Sequence, residues 1–246
     1  MNAPRDVELM ARAVELARRG RYATRPNPAV GCVLARDGEI VGEGYTRPAG
    51  GNHAEIEALA SCSLARGTTA YVTLEPCAHT GRTGPCVDAL ISAGVSAVHV
   101  AVRDPNPLVS GQGVARLREA GIDVCEGTLA GEAEAINRGF FKRMVTGLPY
   151  VRVKLAASLD GRTAMESGES QWITGPAARA DVQELRARSG AIVTGIGTVL
   201  ADDPALTVRD DRFDIPSQPL RVVLDSERQV PLTARVLSEP GQALLV

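Results

Sequence analysis

His53, Glu55, Cys77 and Cys86 are the residues of this 246-residue chain whose types and spacing could do chemistry. One imidazole and two thiols make three zinc ligands, and a hydrolytic zinc site wants three protein ligands with a fourth position kept for water. Zinc lowers the pKa of such a water from about 15.7 to about 7, so hydroxide exists at neutral pH. Glu55 lies two residues after His53 and could sit beside the metal without binding it. There it could take a proton from the water and return it to a departing amine. That is hydrolytic deamination, whose general zinc pattern pairs H-x-E with P-C-x-x-C. His53-Ala54-Glu55 and Pro76-Cys77 match the pattern, but residues 78–85 separate the two cysteines where it has only two residues. A structural zinc site, or two buried cysteines without metal, is the plainer alternative. A structural site normally offers a fourth protein ligand; His79 is the candidate, although two residues after Cys77 it would compete with the metal for space. Cys32, Cys62 and Cys125 lie in apolar patterns and read as core.

The elements that must position these residues follow from periodicity and turn chemistry. Residues 6–20 repeat apolar positions at helical spacing and stop at Gly20. Arg25-Pro26-Asn27-Pro28 cannot be helix, because each proline restricts the residue before it. Residues 29–35 and 39–45 flank Asp37-Gly38, a hairpin signal. Residues 53–61 and 86–93 read as helices, so His53 and Cys86 each stand at a helix start, where a thiolate is favoured over a thiol. Residues 69–74, 95–102 and 122–125 read as strands, and 112–120 and 132–143 as helices. A hairpin followed by alternating helices and strands implies an α/β sandwich with a mixed sheet. A seam near Thr146-Gly147-Leu148-Pro149 separates a first domain, 1–146, from a second, 148–246. In the second, 150–156 reads as a strand, 191–195 and 220–224 as buried strands, and 176–189 as a helix with Pro176 in its first turn. It stops inside the apolar run Ala243-Leu244-Leu245-Val246 and reads as incomplete.

Composition excludes several classes of function. Apolar residues at 44% and charged residues at 23% are those of an ordinary soluble globular protein. A net charge of -2, with Lys and Arg scattered, calls for neither nucleic acid nor an anionic membrane. Aromatics at 3% are too few for a base-stacking platform. Glu8, Arg12 and Glu15 interrupt the first apolar stretch, so it is neither a signal segment nor a membrane span. Five cysteines make an odd count in a chain too large to need a disulfide framework, so the expectation is a reducing cytoplasm.

Read with their neighbours, the zinc residues resemble the bifunctional deaminase/reductase family of riboflavin biosynthesis. The matching strings are Pro26-Asn27-Pro28, Val30-Gly31-Cys32 and His53-Ala54-Glu55, and above all the run from Thr73-Leu74-Glu75-Pro76-Cys77 through Gly84-Pro85-Cys86. The long cysteine spacing is the form this family uses. Asp104-Pro105-Asn106-Pro107, Gly111-Gln112-Gly113, Lys154-Leu155-Ala156-Ala157-Ser158-Leu159-Asp160-Gly161, Ser170-Gln171-Trp172-Ile173-Thr174 and Asp202-Asp203-Pro204 extend the similarity over nearly the whole chain.

The resemblance implies a cytidine-deaminase-like α/β/α sandwich followed by a truncated dihydrofolate-reductase-like α/β domain. It implies two reactions: zinc-dependent removal of the 2-amino group of a diaminohydroxypyrimidine bearing a phosphoribosylamino substituent, and NADPH-dependent reduction of ribosyl to ribityl. It points to Ala156, Trp172, Thr198, Asp202 and Ser226 as nucleotide neighbours, and to Ser170, Arg186, Leu206 and Arg209 as substrate neighbours. Guanidinium binds phosphate in a bidentate manner, which suits Arg186 and Arg209, with a solvated helix face as the plainer view of Arg186. Asn27 could read a pyrimidine edge through its amide, and His79 and Arg82 could meet the ribose phosphate; turn geometry and surface solvation are the alternatives. Gly195-Ile196-Gly197 is a weak dinucleotide fingerprint, because Leu200 holds the third glycine position. A complete reductase domain of that family continues well past residue 246, so the reductase half as written could be unable to hold NADPH. The expected partner is a small-molecule ribotide, with no nucleic acid and no membrane, and exposed apolar strands favour a homo-oligomer. A deaminase acting on tRNA should show Pro-Cys-x-x-Cys and a basic face, and this sequence has neither. A non-enzymatic zinc module would need no carboxylate at Glu55.

Overall fold

Asp37 and Gly38 take φ of 53° and 81°, the left-handed pair that a two-residue hairpin turn requires. They join β1 (Gly31–Arg36) to β2 (Glu39–Tyr45) in antiparallel register. The computed structural model describes residues 4–79, 84–107 and 109–246, and its contacts divide the chain into two compact units, Met1–Tyr150 and Val151–Val246.

In the first unit β1 also pairs antiparallel with β3 (Thr69–Val72), which leads on in parallel to β4 (Ala97–Val100) and β5 (Asp123–Glu126). The sheet order is β2-β1-β3-β4-β5. Side chains alternate across a strand, and both faces are apolar. Val33 and Tyr71 pack against α1 (Pro4–Gly20), whose Leu9, Met10, Ala13 and Leu16 are buried. Cys32, Leu34, Ala70, Val72, Val98 and Val100 face α2 (Ala54–Ser61), α3 (Cys86–Ala93) and α4 (Gln112–Glu119). The result is the expected α/β/α sandwich. α2 lies almost in contact with the sheet: a Cβ at Gly44 would stand 2.4 Å from Ala54 O and 2.4 Å from Ala58 N.

One helix differs from the reading at 132–143. It is two helices, α5 (Ala130–Ile136) and α6 (Arg138–Thr146), broken at Asn137. The reason is a tertiary contact: the buried Asn137 amide accepts from Ala29 N at 2.8 Å and donates to Ala29 O at 2.8 Å.

The second unit holds a parallel sheet ordered β6 (Ala191–Gly195), β7 (Leu220–Leu224), β8 (Ala243–Leu245). α7 (Pro176–Ala187), α8 (Ile196–Asp202) and α9 (Arg235–Ser238) accompany it. Two expectations are corrected here. Residues 150–156 form no strand: no described strand pairs with them, and Val151, Val153 and Leu155 stay exposed. β6 and β7 are not buried on both sides, because their core cluster, with Val199, Val223 and Val236, leaves Val193 and Leu224 more than half exposed. Arg221 on β7 is fully buried, and its guanidinium donates to the carbonyls of Glu239, Pro240 and Gly241. No helix among the described residues is long and apolar enough to cross a membrane.

Candidate metal centre and substrate cavity

His53 occupies the N-cap of α2 with extended backbone, yet its imidazole makes no capping bond. Instead Nδ1 turns toward two sulfurs, 3.6 Å from Cys77 Sγ and 3.2 Å from Cys86 Sγ. Cys77 follows β3 through Leu74-Glu75-Pro76, and Cys86 is the first residue of α3 behind Pro85. The first two amides of α3 are spent on Cys77: Cys86 N donates to its Sγ at 3.3 Å and Val87 N to its carbonyl at 3.2 Å. Oriented amides at a helix start favour thiolate. The Cys77 thiol accordingly lies well below the ordinary thiol range, first through the bond from Cys86, while the same bond pushes Cys86 up. His53 is raised by its bond to Cys77.

The three donor atoms lie within 4.8 Å of one another, the only such group among the described residues. Nitrogen and two thiolates suit zinc, and three ligands leave a tetrahedral position over. His79 does not join them; it is exposed on the rim, so the structural four-ligand alternative loses its candidate. Glu55, in the first turn of α2, is 3% exposed, and burial raises its carboxyl to about 7. A buried carboxyl near neutrality can both take and give a proton.

A cavity of about 510 Å³ opens over these groups, with His53, Glu55 and Cys77 in its floor. Asn27 and Pro28 form one wall, held by the Asn137 clamp on Ala29. His79, Asp104 and Asn106 form others. Arg82 lies outside the described residues. Glu75, Asp104 and Asn106 stand in the family-like strings, which by themselves assign them no role. Glu75 carries one sequence signal, a carboxylate directly after the apolar run that ends at Leu74. Thr46, Phe140 and Met144 also line the cavity with no sequence signal. Cys32 is buried core and Cys62 packs at its margin; all five cysteines are free of disulfides.

In the second unit the expected residues fall into groups. Ser170 and Trp172 share a cavity of about 880 Å³ formed by residues 158–173, and Trp172 stacks under the Arg179 guanidinium at 4.7 Å. Arg186 on α7 donates to Thr207 O at 2.9 Å, which brings it beside Leu206 and Arg209, and burial lowers its pKa. Arg209 N in turn donates to Gln183 on α7 at 2.9 Å. Thr198 and Asp202 ride on α8, Ser226 follows β7, and Ala156 lies outside any helix or strand and outside the wall that Ser170 and Trp172 line.

The family described as cytidine and deoxycytidylate deaminase zinc-binding region matches residues 4–102. The RibD C-terminal domain matches residues 149–246. Riboflavin biosynthesis protein RibD of Escherichia coli is 57% identical over 248 residues, covering 96% of this chain and 68% of that protein. The Haemophilus influenzae RibD is 53% identical over 252 residues, covering 98% and 68%. The solved structure of Acinetobacter baumannii RibD superposes with a TM-score of 0.93 at 54% identity, over 98% of this chain and 69% of that one. The diaminohydroxyphosphoribosylaminopyrimidine deaminase/5-amino-6-(5-phosphoribosylamino)uracil reductase of Thermotoga maritima gives 0.92 at 39% identity, with the same coverage.

Proposed function

The chain belongs to the riboflavin biosynthesis protein RibD family, bifunctional enzymes with a zinc deaminase domain and a reductase domain, and from that premise we propose how its residues divide the work. The deaminase domain is assigned to 1–146 and the reductase portion to 148–246. The deaminase substrate is 2,5-diamino-6-ribosylamino-4(3H)-pyrimidinone 5′-phosphate. The observation that carries the reading is the triad of donors within 4.8 Å, of which His53 and Cys77 line the same cavity as the buried Glu55.

His53, Cys77 and Cys86 would hold zinc, with the two sulfurs as thiolates to balance its charge. When bound, the metal supplies the Lewis acidity that makes water nucleophilic at neutral pH. Glu55 would take a proton from the attacking water as its oxygen bonds to the ring carbon and return it to the exocyclic nitrogen as the carbon–nitrogen bond breaks. Ammonia leaves, and the remaining hydroxyl proton passes to a ring nitrogen, which leaves a carbonyl. Asn27 would read the ring edge through its amide, and His79 and Arg82 are the proposed partners of the ribose phosphate.

For the second reaction NADPH, when bound, supplies the hydride. Ala156, Trp172, Thr198, Asp202 and Ser226 are its proposed neighbours; Ser170, Arg186, Leu206 and Arg209 are those of the ribotide. The pairing of Arg186 with the 206–209 segment supports a phosphate subsite there. A cytoplasmic location agrees with five free thiols, and exposed Val151, Val153 and Leu155 support a homo-oligomer.

The test is ammonia release from the diaminopyrimidine ribotide by purified chain, in matched samples with and without a zinc chelator. Zinc-dependent release is expected. No release from protein that carries one zinc per chain would break the substrate assignment.

A further inference from the structure

Between β4 and α4 the chain runs through Asp104 and Asn106, which stand in the cavity wall, with no regular secondary structure to hold them. Asn106 N donates to Asp104 Oδ1 at 2.8 Å, and Asp104 is in turn tied to a buried side chain. Glu75 is 5% exposed, and its Oε2 accepts from Asp104 N at 3.1 Å and from Gly111 N at 2.9 Å, while Oε1 accepts from Val114 N at 3.1 Å. These three amides mark the start of the rim, its end, and the first turn of α4. The Glu75 main chain adds a fourth tie, donating from N to Val102 O at 2.9 Å.

Gly111 is the N-cap of α4 at φ 80° and offers no capping side chain. Glu75 fills that role from the segment that follows β3, with its charge at the favoured end of the helix. The fit leaves no slack: a Cβ on Gly113 would lie 2.1 Å from Pro76 O and 3.1 Å from Glu75 Cγ. Glu75 also stands between Leu74, a cavity residue, and Pro76-Cys77, which bears a metal donor. Glu75 therefore links the metal-donor segment directly to Asp104 and, through the Asn106 N bond to Asp104 Oδ1, to Asn106.

We infer that Glu75 is a positioning residue for the deamination: its carboxylate fixes Asp104 and Asn106 in the cavity wall, in register with His53 and Cys77. This rests on the deaminase reading above. Glu75 makes its bonds before substrate arrives, so its effect falls on substrate binding and not on the proton transfer at Glu55.

The test is Glu75→Gln, which keeps the shape but turns an amide NH2 toward a backbone N–H. KM for the ribotide should rise about tenfold, the effect of losing one charge-assisted hydrogen bond. The kcat should stay within about threefold and zinc content unchanged, the signature of lost uniform binding. Unchanged KM, or loss of zinc together with kcat, would overturn the inference. Amide hydrogen exchange of the unmodified chain gives a second reading that does not depend on whether the variant folds. Asp104, Gly111 and Val114 amides should exchange as slowly as those of β3, and fast exchange at all three would overturn it equally. If the unmodified chain releases no ammonia, the deaminase reading fails, and the exchange result still decides whether Glu75 fixes the rim.

Discussion

Gly44→Ala probes how closely the chemistry depends on the seating of α2. A Cβ at Gly44 would stand 2.4 Å from Ala54 O, 2.4 Å from Ala58 N and 2.6 Å from Glu57 Cβ, where ordinary contact begins near 3.4 Å. Two of those atoms are helix backbone and cannot rotate away. The sheet strand beneath is paired to β1 along its length, so α2 must lift by about 1 Å, the difference between 3.4 and 2.4 Å. Ala54 lies between His53 and Glu55, so the shift reaches a metal donor and the proton carrier together. A misplacement of about 1 Å costs on the order of 10²-fold in rate, and overpacking of this kind costs about 1–3 kcal/mol in stability. Ammonia release at saturating ribotide, zinc content and thermal unfolding should be measured on the same preparation. The expected result is a folded, less stable protein with kcat down about 10²-fold. Gly131→Ala is the control: it sits in α5 with nothing within 4 Å of the new Cβ, so activity should hold and stability stay level or rise by up to about 1 kcal/mol. A Gly44→Ala protein with full zinc and unchanged kcat would refute the argument that α2 transmits the displacement.

Glu55→Gln should retain zinc and lose kcat by about 10²–10⁴-fold, the usual worth of a positioned acid–base group; kcat within a few-fold of the parent would remove Glu55 from proton transfer. Asn137→Ala strips both partners from the buried Ala29 peptide, so it should destabilise by about 1–3 kcal/mol and raise the ribotide KM by loosening the Asn27 wall. Denaturant unfolding and steady-state kinetics check the two halves, and an unchanged KM would separate Asn137 from the cavity. Tyr71 is pushed up first by burial and then by donating to Asp6 Oδ1 at 2.8 Å. A phenol whose folded pKa exceeds its unfolded value adds stability that is whole below about pH 10 and lost as pH rises beyond it. Tyr71→Phe should therefore flatten the alkaline loss of stability, and identical pH profiles for the two proteins would contradict that assignment.

The parts of the first unit that local chemistry dictates were legible. Asp37-Gly38 predicted the hairpin, and Gly94, left-handed at φ 73°, closes α3 where the sequence placed its end. His53, Cys77 and Cys86 could be named because a metal demands particular atoms whatever the fold. Other features depend on partners far along the chain. The break at Asn137 is decided by Ala29, 108 positions away, and no helical period reports it. Glu75 was visible as a carboxylate next to an apolar strand, but its purpose appears only once Asp104, Gly111 and Val114 are brought around it. α8 and α9, seven and four residues long, are too short for periodicity to declare them. The alternation at Val151, Val153 and Leu155 is a strand pattern, but a pattern makes a strand only where a ladder partner lies beside it.

Arg221 has a consequence for the order in which the second unit assembles. Its guanidinium sits dry, answered by the carbonyls of Glu239, Pro240 and Gly241. A buried cation without its acceptors is among the costliest states a fold can visit. β7 therefore has no stable intermediate in which it is packed while the 239–241 turn is loose, and the turn cannot detach without rehydrating the charge. Strand and turn behave as one cooperative unit, and β8, which the turn delivers to the edge of β7, gains or loses its order with them.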